Sequence, residues 1–301
     1  MKPDPLVSII MNCYNGEQFL DAAINSIYSQ TYLSWEIIFW DNCSTDTSSA
    51  IAQSYDNKLK YYISHEKTSL GEARNLALKK ATGKYIAFLD CDDLYQKEKI
   101  QKQVSIMEGS NFVFCYGSAI VINEKNAEIG NITINNMSGN IFGRLLKKYD
   151  INMQSVMIQR SALNEKNFDT SLMFSPDYNL FMELASIGKV AIIKDYIVKY
   201  RKTSNSLTLN SVSIIHKEKK YTLDRLSSNK RLFNNYQEEF NIAYLMLNFS
   251  KAIFYIGEDD NINARIAFKK IARVKFKYRI FYYLLYLPIS KQFLLKKLLG
   301  Y

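Results

Sequence analysis

The sequence predicts an α/β fold with a mostly parallel sheet over residues 1–210, followed by a helical region over residues 211–301. Three observations lead to this prediction. Short apolar runs alternate with helical patterns across residues 6–200, which is the order of βαβ units. Several of the apolar runs end abruptly in polar residues. Beyond Asn210 strand patterns disappear, and helical periodicity continues to the end of the chain.

Each predicted strand is a short apolar run, and each predicted helix has apolar residues spaced three and four apart. Strands are expected at residues 7–13, 36–41, 59–63, 85–89 and 112–122, with helices near 16–30, 71–81 and 97–107. The Asn- and Gly-rich residues 129–140 predict a hairpin or loop at the sheet edge. Residues 155–159 are then expected to form a strand. Residues 176–186 are expected to form a helix with Ser175 as its cap and Pro176 in its first turn.

The composition is that of a globular chain, with 48% apolar and 23% charged residues among 301. Four cysteines without Cys-x-x-Cys spacing favour a reduced, cytoplasmic protein. No secretory signal or membrane span is expected, because the first apolar run stops at Asn12 and the run near 280–289 is short and contains Pro288. The net charge of +10 comes from residues 261–301, which hold 10 Lys/Arg and no acid.

Acidic residues close the apolar run at residues 85–89. Asp90, Asp92 and Asp93 follow it directly, at the edge of a parallel sheet where ligands bind. Their mutual repulsion favours a divalent cation, and a Mn²⁺ or Mg²⁺ held by carboxylates and phosphate oxygens fits an oxygen-only site. The alternative is a solvated turn in which Asp93 caps the next helix.

Two other strand ends carry polar residues that fit a nucleotide. Asp41 ends the run at residues 36–41, and its carboxylate is suited to accept the imide N–H of a uracil. Tyr14 follows the first strand and is suited to stack on a base. The alternative is turn-and-cap chemistry, for which Asp41-Asn42-Cys43-Ser44-Thr45-Asp46 is equally suited.

In order and spacing, these segments resemble the family 2 glycosyltransferases. The resemblance rests on Val7-Ser8-Ile9-Ile10, Tyr14-Asn15-Gly16, the run from Asp41 to Asp46, Gly71-Glu72-Ala73-Arg74-Asn75, and the run from Gly83 to Asp93. It implies a GT-A fold over most of residues 6–210. It also implies that Tyr14 and Asp41 hold the base and that Asn15 and Arg74 belong to the donor site. Asp90 would contact the nucleotide, and Asp92 with Asp90 would bind the metal. For Arg74 the alternative is a salt bridge on a helix surface.

The same resemblance supplies a general base. Asn167-Phe168-Asp169 and Ser175-Pro176-Asp177 look like the family segment that deprotonates the acceptor, which makes Asp177 the base. Pro176 stands where the family usually has an acid, and the alternative is that Asp177 only favours the positive end of a helix. The run from Tyr200 to Ser206 resembles a flexible loop from which Arg201 would meet the diphosphate. The histidine that many relatives carry near Thr203 is absent.

The basic tail predicts an amphipathic helix. Ala267, Ile271, Val274, Tyr278, Phe281 and Leu285 share one helical face, and Lys269, Arg273 and Lys277 lie on another. This pattern favours contact of residues 261–301 with an anionic membrane surface. The alternative is packing on the catalytic domain. Nucleic acid is not expected as a partner, because the positive charge avoids the domain that carries the binding motifs.

The leading hypothesis is a metal-dependent, inverting glycosyltransferase that uses a nucleotide-sugar donor, expected to be a UDP-sugar. The resemblance implies a glycan or lipid-linked acceptor in bacterial surface-glycan synthesis, at the inner face of the cell membrane. One alternative is a sugar nucleotidyltransferase, which would normally carry a Gly-rich, basic loop after the first strand. The other is a non-catalytic relative that binds nucleotide.

Overall fold

The computed structural model describes residues 3–203, 212–272, 276–287 and 289–299. These residues form two compact units. One holds residues 3–142 and 150–203, and the other holds residues 143–149 and the described residues from 212 onward. The predicted domain boundary at residue 210 lies outside the described residues.

The first unit is built on strands that alternate with helices. The strands are β1 Val7–Cys13, β2 Trp35–Asp41, β3 Leu59–Ile63, β4 Tyr85–Phe88, β5 Leu94–Tyr95, β6 Phe112–Ile122, β7 Glu128–Ile132, β8 Met157–Gln159 and β9 Lys189–Arg201. The helices to this point in the chain are α1 Glu17–Tyr28, α2 Ser48–Gln53, α3 Leu70–Leu78, α4 Lys99–Met107, α5 Phe142–Lys147, α6 Arg160–Leu163 and α7 Pro176–Ile187. The predicted strands and helices are therefore confirmed, with ends displaced by up to three residues.

In the described part of the chain one sheet runs in the order β3-β2-β1-β4-β8-β6-β9-β5, with β7 beside β6. Strands β3, β2, β1 and β4 are parallel, whereas β8 is antiparallel to both β4 and β6. The sheet is thus mixed. Its parallel half brings the carboxyl ends of β1, β2 and β4 to one edge, where a ligand site is expected.

Burial explains why these runs form strands. Every residue of β2 and β4 is buried, as expected for strands covered on both faces. Gly83 lies where β1 and β4 approach closely, since a Cβ there would be 2.6 Å from the Ser8 nitrogen and 2.7 Å from the Leu6 oxygen. Residues 129–140 begin with a hairpin strand, β7, which confirms that prediction.

The second unit is helical throughout its described residues. After α5 its helices are α8 Val212–Ser227, α9 Lys230–Asn235, α10 Gln237–Gly257, α11 Asn261–Ile271, α12 Phe276–Leu284 and α13 Lys291–Leu299. None of the helices in the described ranges combines the length and hydropathy needed to cross a bilayer. Within this unit Lys147 of α5 forms an ion pair with Glu239 of α10, at 3.5 Å.

The tail differs from the single amphipathic helix that the sequence predicts. Helix α11 ends at Ile271 and α12 begins at Phe276, while Arg273 and Val274 lie outside the described residues. The described members of the predicted apolar face are buried in the core of the helical unit or packed against it: Ala267, Ile271, Tyr278, Phe281 and Leu285. That face is therefore unavailable to a membrane, because it already packs against other helices.

Candidate active site

Asp90 is the first acid beyond β4, and a glutamine fixes its position. The backbone N–H of Asp90 donates to Gln154 Oε1 at 2.8 Å, and Gln154 Nε2 donates to Asp90 Oδ2 at 2.5 Å. Gln154 is buried, whereas 38% of the Asp90 side chain is exposed. Gln154 thus fixes the position of Asp90, and part of the Asp90 carboxylate remains exposed to a ligand.

Arg74 lies beside this carboxylate. Helix α3 begins after Ser69, whose hydroxyl accepts the Glu72 N–H, and it carries Arg74 towards the acids. Arg74 Nη2 is 3.4 Å from Asp90 Oδ1, and its guanidinium lies over the Phe168 ring at 5.5 Å. Only 4% of Arg74 is exposed. The alternative of a salt bridge on a helix surface is therefore wrong, because this guanidinium is buried and directed at the acid cluster.

Asp177 lies in the first turn of α7, where the sequence places a general base. Burial raises the pKa of its carboxyl, while the nearby Arg74 lowers it. Asp90 also acts on Asp177, in the raising direction. Asp177 therefore interacts electrostatically with Arg74 and Asp90, although Asp177 and Asp90 are 87 positions apart in the chain. A carboxylate with a raised pKa is better suited to accept a proton than an ordinary aspartate.

Asp92 is half-buried. Burial, and then repulsion by Asp90, raise its pKa from the ordinary value of 3.8 to about 6. Asp93 is 1% exposed and accepts the Arg201 backbone N–H at 2.6 Å. Helix α4 has Glu98 at its cap position. The alternative in which Asp93 caps this helix is therefore wrong, since Asp93 holds the end of β9.

Arg201, the last residue of β9, hydrogen-bonds to the segment that carries Asp90, Asp92 and Asp93. Its Nε donates to the Asp92 carbonyl at 2.7 Å, and its Nη1 donates to the Asn123 carbonyl at 2.9 Å. The guanidinium also lies over the Phe19 ring at 4.3 Å. With only 2% of Arg201 exposed, this placement argues against the predicted contact with a diphosphate. The side chain instead positions the loop that carries Asp92.

Tyr14 and Asn15 have different surroundings at the end of β1. The Tyr14 ring is 46% exposed, and Lys67 Nζ lies 3.4 Å from its centroid. Asn15 has a left-handed backbone, with φ 53°, and its Oδ1 accepts the Thr45 N–H at 2.8 Å. The Tyr14 ring is thus partly exposed and contacts Lys67, whereas the Asn15 side chain joins two loops.

Asp41 is placed differently from the sequence prediction. Its Oδ1 accepts the Ser44 N–H and its Oδ2 accepts the Tyr61 hydroxyl, each at 2.7 Å. Asp41 has no exposed surface. This placement argues against the predicted contact with a base, because a ligand cannot reach a fully covered carboxylate. Asp41 instead shapes the loop that follows β2.

A divalent cation fits the two half-buried acids Asp90 and Asp92. Within the described ranges, no group of three or more His, Cys, Asp or Glu side chains converges on a point that could hold a metal by itself. Two carboxylates are enough where phosphate oxygens and water complete the shell, as is usual for Mg²⁺. Burial and repulsion by Asp90 raise the pKa of Asp92, and a bound cation would offset that repulsion. The donor set is therefore suited to a cation bound together with a diphosphate.

Gln154 was missed in the sequence. It stands three residues before the buried strand β8, and a polar residue beside a buried run was the available signal. Nothing in the sequence shows that β8 is antiparallel to β4, and this pairing is what brings Gln154 against Asp90.

Comparison with known proteins places the chain in a family. The model of glycosyl transferase family 2 matches residues 8–167. A glycosyltransferase of Rickettsia felis, of uncharacterised activity, is 35% identical over 201 residues, covering 66% of this chain and 33% of the relative. The Escherichia coli protein WfgD, named a UDP-Glc:α-D-GlcNAc-diphosphoundecaprenol β-1,3-glucosyltransferase, is 33% identical over 210 residues, covering 69% and 81%. This chain therefore spans about a third of the first relative and most of the second.

Two solved structures share the fold. S. aureus TarS 1–349 in complex with UDP-GlcNAc aligns with a TM-score of 0.70 at 16% identity, over 97% of this chain and 88% of that chain. The mannosyltransferase PcManGT from Pyrobaculum calidifontis, in complex with GDP-Man and Mn²⁺, aligns with a TM-score of 0.63 at 14% identity, over 98% and 88%. The chain belongs to glycosyl transferase family 2. Both this family and the GT-A fold were predicted from the sequence, and both are confirmed.

Proposed function

We propose that this chain is an inverting, metal-dependent glycosyltransferase that moves a sugar from a UDP-sugar to a hydroxyl of a lipid-linked or glycan acceptor. The observation that carries the proposal is the convergence of Arg74, Asp90 and Asp177. The buried Arg74 guanidinium forms an ion pair with Asp90, whose carboxylate is partly open to a ligand, and it acts electrostatically on Asp177, whose pKa is raised by burial. A nucleotidyltransferase has no comparable observation in its favour.

The proposed reaction assigns a role to each of these groups. Asp177 accepts the proton of the acceptor hydroxyl as its oxygen attacks the anomeric carbon, and the bond to the diphosphate oxygen breaks from the opposite face. The configuration inverts, and no covalent intermediate forms on the protein. Arg74 offers a positive charge to the diphosphate beside Asp90. A Mn²⁺ or Mg²⁺ held by Asp92 and Asp90 would neutralise charge on the departing UDP.

The donor and acceptor classes are supported by the relatives. WfgD is named for UDP-Glc and a diphosphoundecaprenol-linked acceptor, and TarS was solved with UDP-GlcNAc. The metal is supported by the Mn²⁺ in the PcManGT complex and by the donor set of Asp90 and Asp92. Tyr14, with its exposed ring, is the residue we propose for stacking on the uracil.

Donor turnover provides the test. Purified protein with Mn²⁺ is given a panel of UDP-sugars and a polyprenyl-diphosphate-linked acceptor, and UDP release is measured. We expect one donor to be turned over, with Asp177→Asn lowering the rate at least a hundredfold because the base is lost. Glu165→Gln is the matched control, since it removes one exposed carboxylate and should keep full activity. No UDP release above the Asp177→Asn rate from any donor would contradict the proposal.

The helical unit supports a second part of the proposal, association with an anionic membrane at its cytoplasmic face. Helices α11 and α12 line a groove of about 320 Å³, formed by Ile262, Arg265, Ile266, Lys269, Tyr282 and Tyr286. Ile262 and Ile266 are 65% and 52% exposed, and Tyr283 is 61% exposed. Exposed apolar side chains beside basic ones are typical of a surface that lies on anionic lipid.

Vesicle sedimentation tests this surface. The protein should bind vesicles containing phosphatidylglycerol more than purely zwitterionic ones, and less as salt rises. A double variant, Ile266→Glu with Tyr283→Glu, should lower the bound fraction at least fivefold. Leu33→Glu is the control, because Leu33 is 72% exposed but lies in the first unit. Equal binding of both variants to anionic vesicles would exclude this surface.

A further inference from the structure

Two cysteines lie near each other at the edge of the sheet that carries the acids. Strands β1 and β4 pair in parallel from Val7 with Tyr85 to Ile10 with Phe88. Beyond this pairing, the Cys91 thiol donates to the Asn12 carbonyl at 3.2 Å, which places residue 91 beside the end of β1. The hydrogen bond from the Leu89 N–H to the Ile10 carbonyl, at 3.0 Å, continues the pairing beyond β4. Neighbouring strands lie about 4.8 Å apart, within the Cα separations of about 4.4–6.8 Å that disulfides span.

The side chains of both cysteines lie against Gly16. Gly16 leaves room for both, since a Cβ there would lie 3.0 Å from Cys13 Sγ, 3.5 Å from Cys91 Sγ and 2.9 Å from Cys91 Cβ. Cys91 is half-buried, so a small reagent can reach it, whereas Cys13 is buried. The described structure holds both thiols against Gly16 while both are reduced.

The other cysteines are placed differently. The Cys43 thiol donates to the Ser64 carbonyl at 3.1 Å, and Cys115 is buried within β6. Only Cys91 stands between the two acids proposed to bind the metal. Any movement of its backbone therefore moves Asp90 and Asp92 with it.

We propose that Cys13 and Cys91 form an oxidisable dithiol which a peroxide converts to an intramolecular disulfide, and that the oxidised protein loses its nucleotide-donor site. The loss of the donor site rests on the proposed function. In the first step one sulfur of the pair attacks the peroxide, which gives a sulfenic acid and one water. The other sulfur then attacks the sulfenic sulfur, forming the S–S bond and releasing a second water. Two electrons from the sulfur pair reduce one peroxide, and a dithiol reagent reverses the change.

The consequence for the site is geometric. An S–S bond is about 2.05 Å long, much shorter than a contact between two unbonded thiols. Closing it draws residue 91 towards β1, while Gln154 and Arg74 hold Asp90 in its place. The spacing of Asp90 and Asp92 changes as a result, and a cation site tolerates little change in the positions of its ligands.

The experiment treats the full chain with hydrogen peroxide and then blocks the remaining thiols. Peptide mapping should find a Cys13–Cys91 linkage with a loss of two hydrogens. Mn²⁺-dependent UDP binding, measured by calorimetry, should weaken at least tenfold and return after dithiothreitol. Cys13→Ser should abolish both the linkage and the loss of binding. Cys43→Ser is the matched control and should respond as the unaltered protein does.

The outcomes separate the two proposals. Peroxide treatment that gives no Cys13–Cys91 linkage, or only sulfinic acid at Cys91, would overturn the dithiol. A linkage that forms without weakening UDP binding would overturn its effect on the donor site. Reduced protein that binds no UDP would instead count against the proposed function, and peptide mapping would still decide whether the dithiol forms.

Discussion

Replacing Asp92 with asparagine should stabilise the metal-free protein while abolishing sugar transfer. The Asp92 carboxyl has a pKa of about 6 in the folded chain and an ordinary value of 3.8. One pKa unit corresponds to about 1.4 kcal/mol, so keeping this group ionised in the fold costs at most about 3 kcal/mol at pH 8. Asparagine keeps the shape and removes the charge. The gain in Tm should be several degrees, at about 2–4 °C per kcal/mol for a unit of this size.

The raised pKa of Asp92 determines how the stability gain of the variant depends on pH. The folded pKa is raised, so the penalty is complete above pH 6 and disappears as pH falls below 3.8, where the carboxyl becomes protonated in both states. Thermal unfolding with a metal chelator, at pH 8 and at pH 4.5, measures the gain at both ends. Glu165→Gln controls for the loss of one negative charge. A gain that is absent at pH 8, or equal at both pH values, would refute the reasoning.

Three further predictions concern the first unit. Lys99 is fully buried, and burial lowers its pKa from 10.5 to about 7. Because a buried charge is costly, Lys99→Met should raise the free energy of unfolding at pH 7 by up to about 5 kcal/mol. The unaltered protein should gain stability from pH 7 to 10, a slope that denaturant titrations of the variant should lack. Gly83→Ala should lower the free energy of unfolding by about 2–3 kcal/mol in the same titrations, because the added Cβ would lie 2.6 Å from a backbone nitrogen of β1. Gly130→Ala is the control and should leave the free energy of unfolding unchanged, because a Cβ at residue 130 would meet open space. Gln154→Leu should weaken Mn²⁺-dependent UDP binding at least tenfold by calorimetry, since Asp90 loses two hydrogen bonds, and unchanged affinity would exclude that positioning role.

Local patterns predicted the parallel half of the fold well. Residues 85–89 are apolar and flanked by charged and polar residues, and such a run has few alternatives to a buried strand. Strand β9 was harder to recognise, since Lys194, Asp195 and Tyr196 interrupt its apolar residues and are exposed in the structure. The tail was predicted as one helix, because its periodicity continues past the point where α11 ends.

The candidate site shows the same division between local and long-range information. Motifs and the family resemblance predicted Asp90, Asp92 and Asp177 as site residues, and in the fold Arg74 forms an ion pair with Asp90 and acts electrostatically on Asp177. Sequence spacing could not show that Asp41 is fully covered, since its burial depends on Tyr61 from β3. Sequence spacing also could not show that Arg201 donates to the backbone carbonyls of Asp92 and Asn123, because both residues are distant from Arg201 in the chain.

A crystal structure of the protein with UDP and Mn²⁺ tests the central claim most directly. The proposal predicts one Mn²⁺ with an Asp92 carboxylate oxygen at about 2.2 Å, the metal touching the diphosphate, and the Arg74 guanidinium within hydrogen-bonding distance of a phosphate oxygen. Asp177 should face the side of the site where an acceptor hydroxyl would enter. UDP and Mn²⁺ bound elsewhere, with Asp90 and Asp92 turned away from both, would contradict the assignment.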